Sequence, residues 1–242
     1  MKWKQALTGA IWPTTKCVIC GDKCEERYPG LCRRCMQRIE ENRRRVVFCP
    51  YCGSFRSDIF PNCPRCYFDA PRFPRRDGVF CALPYDEDSG VLVRKMKYNN
   101  RRDLAETMTK LFFRYSEIET DFDVVTAVPL HKDRLRMRGY NQSEVFGRHI
   151  AEGMELPFEM LLLRVVNTPS QTTLTYHQRL KNMAGAFSVI HVDNVAGKRI
   201  LLVDDVLTTG TTAKECVHAL KKAGAKRVGI ATFAAGKVKE CE

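Results

Sequence analysis

No apolar run in this 242-residue chain approaches the roughly 18 to 20 residues that cross a bilayer. Residues 1–15 carry only a short apolar patch, broken by glycine and proline and set between lysines. The expectation is a cytoplasmic protein with no membrane insertion. The sequence also contains no G-x-x-x-x-G-K-[ST] and no G-x-G-x-x-G, which argues against a P-loop NTPase and a dinucleotide-binding fold. Acidic residues are scarce, 28 Asp/Glu against 40 Lys/Arg, for a net charge of +12. The first 77 residues hold 16 Lys/Arg and 8 Asp/Glu, a net of +8, which leaves +4 for the remainder. Eight cysteines there binding two Zn²⁺ as thiolates would halve that local excess. A polyanionic partner suits such a surface, and an ordinary basic surface accounts for it equally well.

What the sequence has in quantity is cysteine. Nine of the 12 cysteines precede residue 67, and they form two copies of one pattern. "CVICGDKCEERYPGLCRRC" (Cys17 to Cys35) and "CPYCGSFRSDIFPNCPRC" (Cys49 to Cys66) each contain C-x-x-C-G, a spacer with a proline, then C-x-x-C. Glycine after the second cysteine suits a zinc knuckle, whose tight turn favours a residue able to take φ > 0. A reducing compartment leaves metal binding or burial as the uses of these thiols. Two structural Zn²⁺ sites are preferred over a thioredoxin-like redox motif or an iron–sulfur cluster. A segment this short buries too little apolar surface to fold alone, whereas a structural zinc site contributes on the order of 10 kcal/mol. Sequential pairing places Cys17, Cys20, Cys32 and Cys35 on one ion and Cys49, Cys52, Cys63 and Cys66 on the other. A cross-braced pairing fits the same spacing, and Cys24 is left over. Tyr28, Phe48, Tyr51, Phe55, Phe60, Tyr67 and Phe68 are interleaved with Arg33, Arg34, Arg43, Arg44 and Arg45. Such a pattern stacks unpaired bases in some proteins, but filler around the metal is the preferred reading.

The expected organisation is a zinc-binding domain at 1–70, a proline-containing linker at 71–78 and an α/β domain at 79–242. From Val79 onward, strand-like runs alternate with stretches of helical spacing such as Leu104, Met108, Leu111 and Tyr115. Alternation implies a mostly parallel sheet with helices on both faces. Ile200 to Val203 is apolar at every position, as in a strand covered on both faces, and Asp204 and Asp205 fall at its carboxyl end. Ligands of open α/β sheets bind there. Thr208, Thr209, Gly210, Thr211 and Thr212 then supply hydroxyls and a glycine just before a helix, whose free amides attract phosphate. Carboxylates for vicinal hydroxyls beside a phosphate turn describe a ribose 5-phosphate ligand.

Residues 200 to 212 resemble the phosphoribosyl pyrophosphate (PRPP) signature of type I phosphoribosyltransferases. Together with the cysteine repeat, "RLRMRGYNQSE" (Arg134 to Glu144) and "TPSQTTLTYHQRLKNMAGAF" (Thr168 to Phe187), they make the chain similar, essentially end to end, to the ComF family of competence-associated proteins, GntX-like proteins included. The resemblance implies a type I phosphoribosyltransferase-like domain preceded by a small zinc-binding domain whose ions are each held by four cysteines. It implies that Asp204 and Asp205 meet the ribose hydroxyls and Mg²⁺, and that Thr208 to Thr212 hold the 5-phosphate. Pro129, Leu130, His131, Lys132 and Arg134 correspond to the pyrophosphate loop, in a run whose positive charge suits a departing diphosphate. Gln171, Arg179 and Asn182 correspond to the flexible loop over the site. If transfer occurs, Asp204, Asp205 and Lys132 are the catalytic candidates, and the chemistry is charge stabilisation of an oxocarbenium-like ribose rather than nucleophilic attack by the protein. The family role implied is DNA uptake in natural transformation, with single-stranded DNA and an uptake helicase or recombination loader as partners. The alternative is an active phosphoribosyltransferase of nucleotide or sugar-phosphate metabolism, for which the sequence offers no recognisable acceptor site.

Overall fold

The two cysteine repeats fold into the same turn. Gly21 N–H donates to Cys17 O and Gly53 N–H to Cys49 O, at 2.9 and 2.8 Å, while Cys17 N–H donates to Asp22 O and Cys49 N–H to Ser54 O. Both glycines take positive φ, +83° and +70°, which is why glycine stands at that place in each copy. The structure, a computed structural model, describes residues 16–24, 27–56, 63, 66, 77–119, 121–166 and 185–237.

The first repeat ends in helix α1 (Arg33–Arg44), which turns Cys35, Met36 and Ile39 inward and Arg33, Arg34, Arg38 and Arg44 outward. The second repeat opens with a two-stranded antiparallel ladder, β1 (Val47–Phe48) with β2 (Phe55–Arg56). Beyond it, β3 (Val79–Pro84) is buried at every residue. Helix α2 (Glu87–Tyr98) starts at a capping box: the Asp86 carboxylate accepts from Ser89 N–H, and Ser89 Oγ accepts from Asp86 N–H. Next come α3 (Leu104–Tyr115), β4 (Val124–Ala127), α4 (Lys132–Arg138), α5 (Gln142–Gly153), β5 (Leu162–Arg164) and β6 (Phe187–Val189). The chain continues through β7 (Arg199–Leu207), α6 (Thr211–Lys222) and β8 (Arg227–Ala235).

The main sheet is parallel throughout, in the order β3-β8-β7-β4. Side chains of β7 alternate between two cores. Leu201 and Val203 join Leu92, Met96, Leu104, Met108 and Phe146 under α2, α3 and α5, whereas Ile200 and Leu202 join Ala213, Cys216 and Leu220 under α6. Helices on both faces explain why the strand is apolar at consecutive positions. Strand β6 pairs antiparallel with β5 outside the main sheet. β7 outruns its expected end at Val203, because its ladder with β8 continues to Leu207 and Ala235 while pairing with β4 stops at Val203 and Ala127.

The first repeat is fixed to the α/β part by apolar and polar contacts. Leu31, Cys35, Met36 and Ile39 share one core with Leu104 and Met108. Arg38 forks onto the buried Asp88 carboxylate with two 2.6 Å bonds, Thr107 Oγ1 donates to Pro29 O at 2.6 Å, and Arg114 bonds both Tyr28 OH and Glu40. Tyr28 is buried, and Phe48 packs edge-on against Phe55 at 6.1 Å, so these aromatics serve as filler. No described helix is long and apolar enough to cross a membrane.

Candidate functional site

Each cysteine set converges. The ligand atoms of Cys17, Cys20, Cys32 and Cys35 lie within 4.8 Å of one another, as do those of Cys49, Cys52, Cys63 and Cys66. Pairing is therefore sequential, and Cys24 belongs to neither tetrad. The Sγ–Sγ contacts are 3.5 Å for Cys20 and Cys32, 3.8 Å for Cys49 and Cys66, and 3.7 Å for Cys52 and Cys63. A tetrahedral ion with Zn–S of about 2.3 Å requires sulfurs about 3.8 Å apart, so both tetrads fit zinc and could hold it. Within the second set the Cys49 thiol and the Ser54 backbone N–H hold Cys52 down to about 5, a thiolate-ready ligand.

At the second candidate site, β7 carries Asp204 and Asp205 past the end of β4, so that among the described residues no strand pairs with that edge. The two carboxylates have different partners. Asp205 is buried and pairs with Lys97 Nζ of α2 at 2.7 Å. Asp204 accepts from Ser143 Oγ in the first turn of α5 at 2.9 Å and from Asp205 N–H at 2.9 Å. Burial and the adjacent Asp205 charge push the Asp204 carboxyl up to about 7, against the pull of Lys97 and Ser143. Burial works to lower Lys97, but the charge and hydrogen bond of Asp205, with Asp204 behind it, outweigh that and hold the ammonium above its ordinary value.

The threonine turn follows directly. Gly210 takes φ +74° and caps α6 without a side chain, so nothing on the capping residue competes for the first-turn amides. Thr209 Oγ1 and Thr211 Oγ1 lie 3.1 Å apart. A small cleft runs from Asp204 through Thr208, Thr209, Gly210, Thr211 and Thr212. Acid and turn thus face one space. A cavity of about 430 Å³ lies at the opposite end of the strands, between Arg43, Phe48, Val79 and Arg227, and shares no lining residue with this cleft.

Residues 128–132 leave the end of β4 beside β7, with Val128 N–H donating to Val203 O at 2.9 Å. His131 is buried and caps α4, its Nδ1 accepting from Asp133 N–H. Lys132 is exposed, and Arg164, held below its ordinary value chiefly by its own burial, is lowered further by the charge of Arg134. Gln171, Arg179 and Asn182 lie outside the described residues. Three site residues were not singled out in the sequence: Lys97, Asn141 and Ser143. The buried Asn141 side chain donates to Val128 O at 2.9 Å and accepts from Ser143 N–H at 3.1 Å, and Ser143 in turn bonds Asp204. That chain ties the loop after β4 to the acid pair. Asn141 and Ser143 lie in the quoted "RLRMRGYNQSE" stretch, where an N-cap signal was legible but its contact with Asp204 was not. Nothing near Lys97 in sequence announces its partner.

Residues 141–242 match the family model described as the phosphoribosyl transferase domain. Competence protein F of Haemophilus influenzae is 25% identical over 224 residues, covering 89% of this chain and 94% of its own length. DNA utilization protein YhgH of Salmonella typhimurium is 28% identical over 222 residues, covering 88% and 94%. A chloroplastic amidophosphoribosyltransferase of Vigna aconitifolia is 27% identical over 151 residues, which is 62% of this chain and 27% of that protein.

Proposed function

We propose that this chain, a homologue of competence protein F and YhgH over most of its length and a type I phosphoribosyltransferase by fold, binds PRPP or a related ribose 5-phosphate and acts in DNA uptake. The observation that carries the ligand is the cleft in which Asp204 stands beside a threonine turn capped by left-handed Gly210, with Asp205 next to it in β7 and paired to Lys97. In this reading the carboxylates accept from the ribose hydroxyls, the Thr208 to Thr212 turn holds the 5-phosphate, and Lys97 anchors the Asp205 side chain. Mg²⁺ would be held by Asp204 and Asp205 with the diphosphate, supplying charge neutralisation there. Lys132 and Arg134 sit at the start of an exposed helix after β4, placed to meet a diphosphate. The division into a zinc domain at 1–70, a linker at 71–78 and a ligand domain at 79–242 is part of the same proposal.

The test is a calorimetric titration of PRPP with Mg²⁺ at two pH values. A carboxyl raised to about 7 stays protonated in the folded chain above the pH at which an unfolded aspartate ionises. A proton therefore competes with the ligand below pH 7, and binding is expected to tighten between pH 6 and pH 8. The same shift means that Asp204 opposes folding increasingly as pH rises from about 4 to about 7. In Asp204→Asn both slopes should flatten, after PRPP's own titration is subtracted; an unchanged slope would remove Asp204 from the ligand's surroundings.

For DNA, support comes from the basic helix α4, which buries none of its residues. Met137 is 88% exposed, Tyr98 is 72% exposed, and Arg138 lies 5.3 Å over the Tyr98 ring. Arginine and aromatic faces of this kind stack bases and neutralise phosphates. Binding to an oligothymidylate should weaken with salt, log affinity falling about 0.7 per neutralised phosphate. A flat salt response would reject it. The similarity to an amidophosphoribosyltransferase favours a second reading, catalysis. Release of pyrophosphate from PRPP in the presence of one acceptor, absent in Asp205→Ala, would establish that.

A further inference from the structure

The turn between Asp205 and α6 does not stand alone, because the second cysteine tetrad leans on its base. Gly53, between Cys52 and the returning strand β2, takes φ +70°, and a Cβ there would lie 2.6 Å from Leu207 Cδ2, 2.8 Å from Val79 Cγ1 and 3.1 Å from Cys81 Sγ. Its backbone is therefore in direct contact with the residue that precedes Thr208. The Cys81 thiol donates to Gly53 O at 3.6 Å. Two residues on, Phe55 N–H donates to Gly236 O at 3.3 Å, and Gly236 N–H donates to Leu207 O at 2.9 Å. A Cβ on Gly236 would sit 3.6 Å from Thr208 Cα, so this strand end also touches the turn. Leu207 is thus held on its side chain by Gly53, which the loop closed by Cys49 and Cys52 places, and on its carbonyl by Gly236, which follows β8 and is tied to the same repeat through Phe55.

The first tetrad has no such connection among the described residues. Its equivalent close approach is Gly30, with φ +86°, where a Cβ would meet Leu104 Cδ2 at 2.6 Å and Arg101 at 3.7 Å. Its hydrogen bonds to the α/β part run to α2, through Arg38 onto Asp88, and to α3, through Thr107, Lys110 and Arg114. The two repeats have the same internal turn and lean on different parts of the fold.

We propose that Gly53, Phe55, Cys81 and Gly236 are positioning residues for the threonine turn, so that metal on the second tetrad, and not on the first, sets the conformation of Thr208 to Thr212. The ligand consequence rests on the reading of that turn as the ribose 5-phosphate site. The structural consequence does not. Zinc fixes the Cys49–Cys52 loop, the loop fixes Leu207, and Leu207 fixes where the turn begins. Loss of the second metal would then lower affinity for a phosphorylated ribose while leaving the acid pair and its Lys97 partner in place.

The two glycines make a matched experiment on the full chain. Gly53→Ala and Gly30→Ala each place a methyl at positive φ against a leucine at 2.6 Å, one in each repeat. Zinc content, amide hydrogen exchange of residues 207–212 and PRPP titration are measured on both variants and on the wild type. Expected for Gly53→Ala is exchange at Thr208 to Thr212 faster by about tenfold, and PRPP affinity weaker by about tenfold, a coupling of the usual size for packed networks. In Gly30→Ala those amides should exchange as in the wild type. Equal acceleration in both variants, or none in either, overturns the proposal. Should Gly53→Ala lose zinc or fail to fold, Cys81→Ala decides, since it removes the thiol contact to Gly53 without adding a side chain there; unchanged exchange at 207–212 in that variant also overturns it. If the wild type binds no PRPP, the reading of the ligand fails, and the exchange data still decide whether the second tetrad positions the turn.

Discussion

The double variant Asp204→Asn, Asp205→Asn is expected to bind PRPP with Mg²⁺ about 100-fold more weakly than the wild type, or worse, at pH 8. Hydrogen bonds to charged groups are worth about 1.5–3 kcal/mol each, so two carboxylates supply about 3–6 kcal/mol, and every 1.4 kcal/mol is tenfold in affinity. Asparagine keeps the shape of both side chains and removes the buried Asp204 carboxyl together with the Asp205 charge that adds to burial in raising it. The substitution does leave Lys97 without its 2.7 Å partner, but that side chain is 22% exposed and can turn toward water. Circular dichroism and zinc content should therefore match the wild type while the titration goes flat. A loss smaller than tenfold would mean that the ribose hydroxyls bond elsewhere, and the threonine turn alone would have to account for binding.

Cys35→Ser is expected to produce the largest loss of stability. Cys35 is fully buried, belongs to the first tetrad and lies on the inward stripe of α1 with Met36 and Ile39. That stripe is continuous with Leu104 and Met108 of the main core, so damage to the metal site reaches the α/β part. A structural zinc contributes on the order of 10 kcal/mol, comparable with the whole stability of a domain of about 5–15 kcal/mol. Even a fraction of that, at about 2–4 °C per kcal/mol for a chain of this size, lowers the melting temperature by about 10 °C or more. Atomic absorption should find one zinc per chain in place of two. Retention of both ions in Cys35→Ser would show that the ligand set is wrong.

Much of the fold was legible because it depends on local rules. The buried strand at Ile200, the helix at Leu104 and the knuckle glycines follow from alternation, helical spacing and the need for positive φ, which neighbouring residues set among themselves. Helix α1 was less visible, since a run rich in arginine reads first as charge, and its apolar stripe has a purpose only once α2 and α3 cover it. The length of β7 depended on how far β8 runs beside it, which no residue of β7 encodes.

The chemistry divides in the same way. From the sequence alone came two cysteine repeats with zinc-ligand spacing, an acid pair at the end of a buried strand and a Thr/Gly turn ahead of a helix, because each motif acts through residues adjacent in the chain. The tertiary structure decided the rest. It paired the cysteines sequentially, set Lys97 against Asp205, ran a hydrogen-bond chain from Val128 through Asn141 and Ser143 to Asp204, and leaned Gly53 on Leu207. These are contacts between side chains and backbones far apart in sequence, fixed by sheet order and by which helix covers which face, and such contacts exist only once the chain has closed on itself.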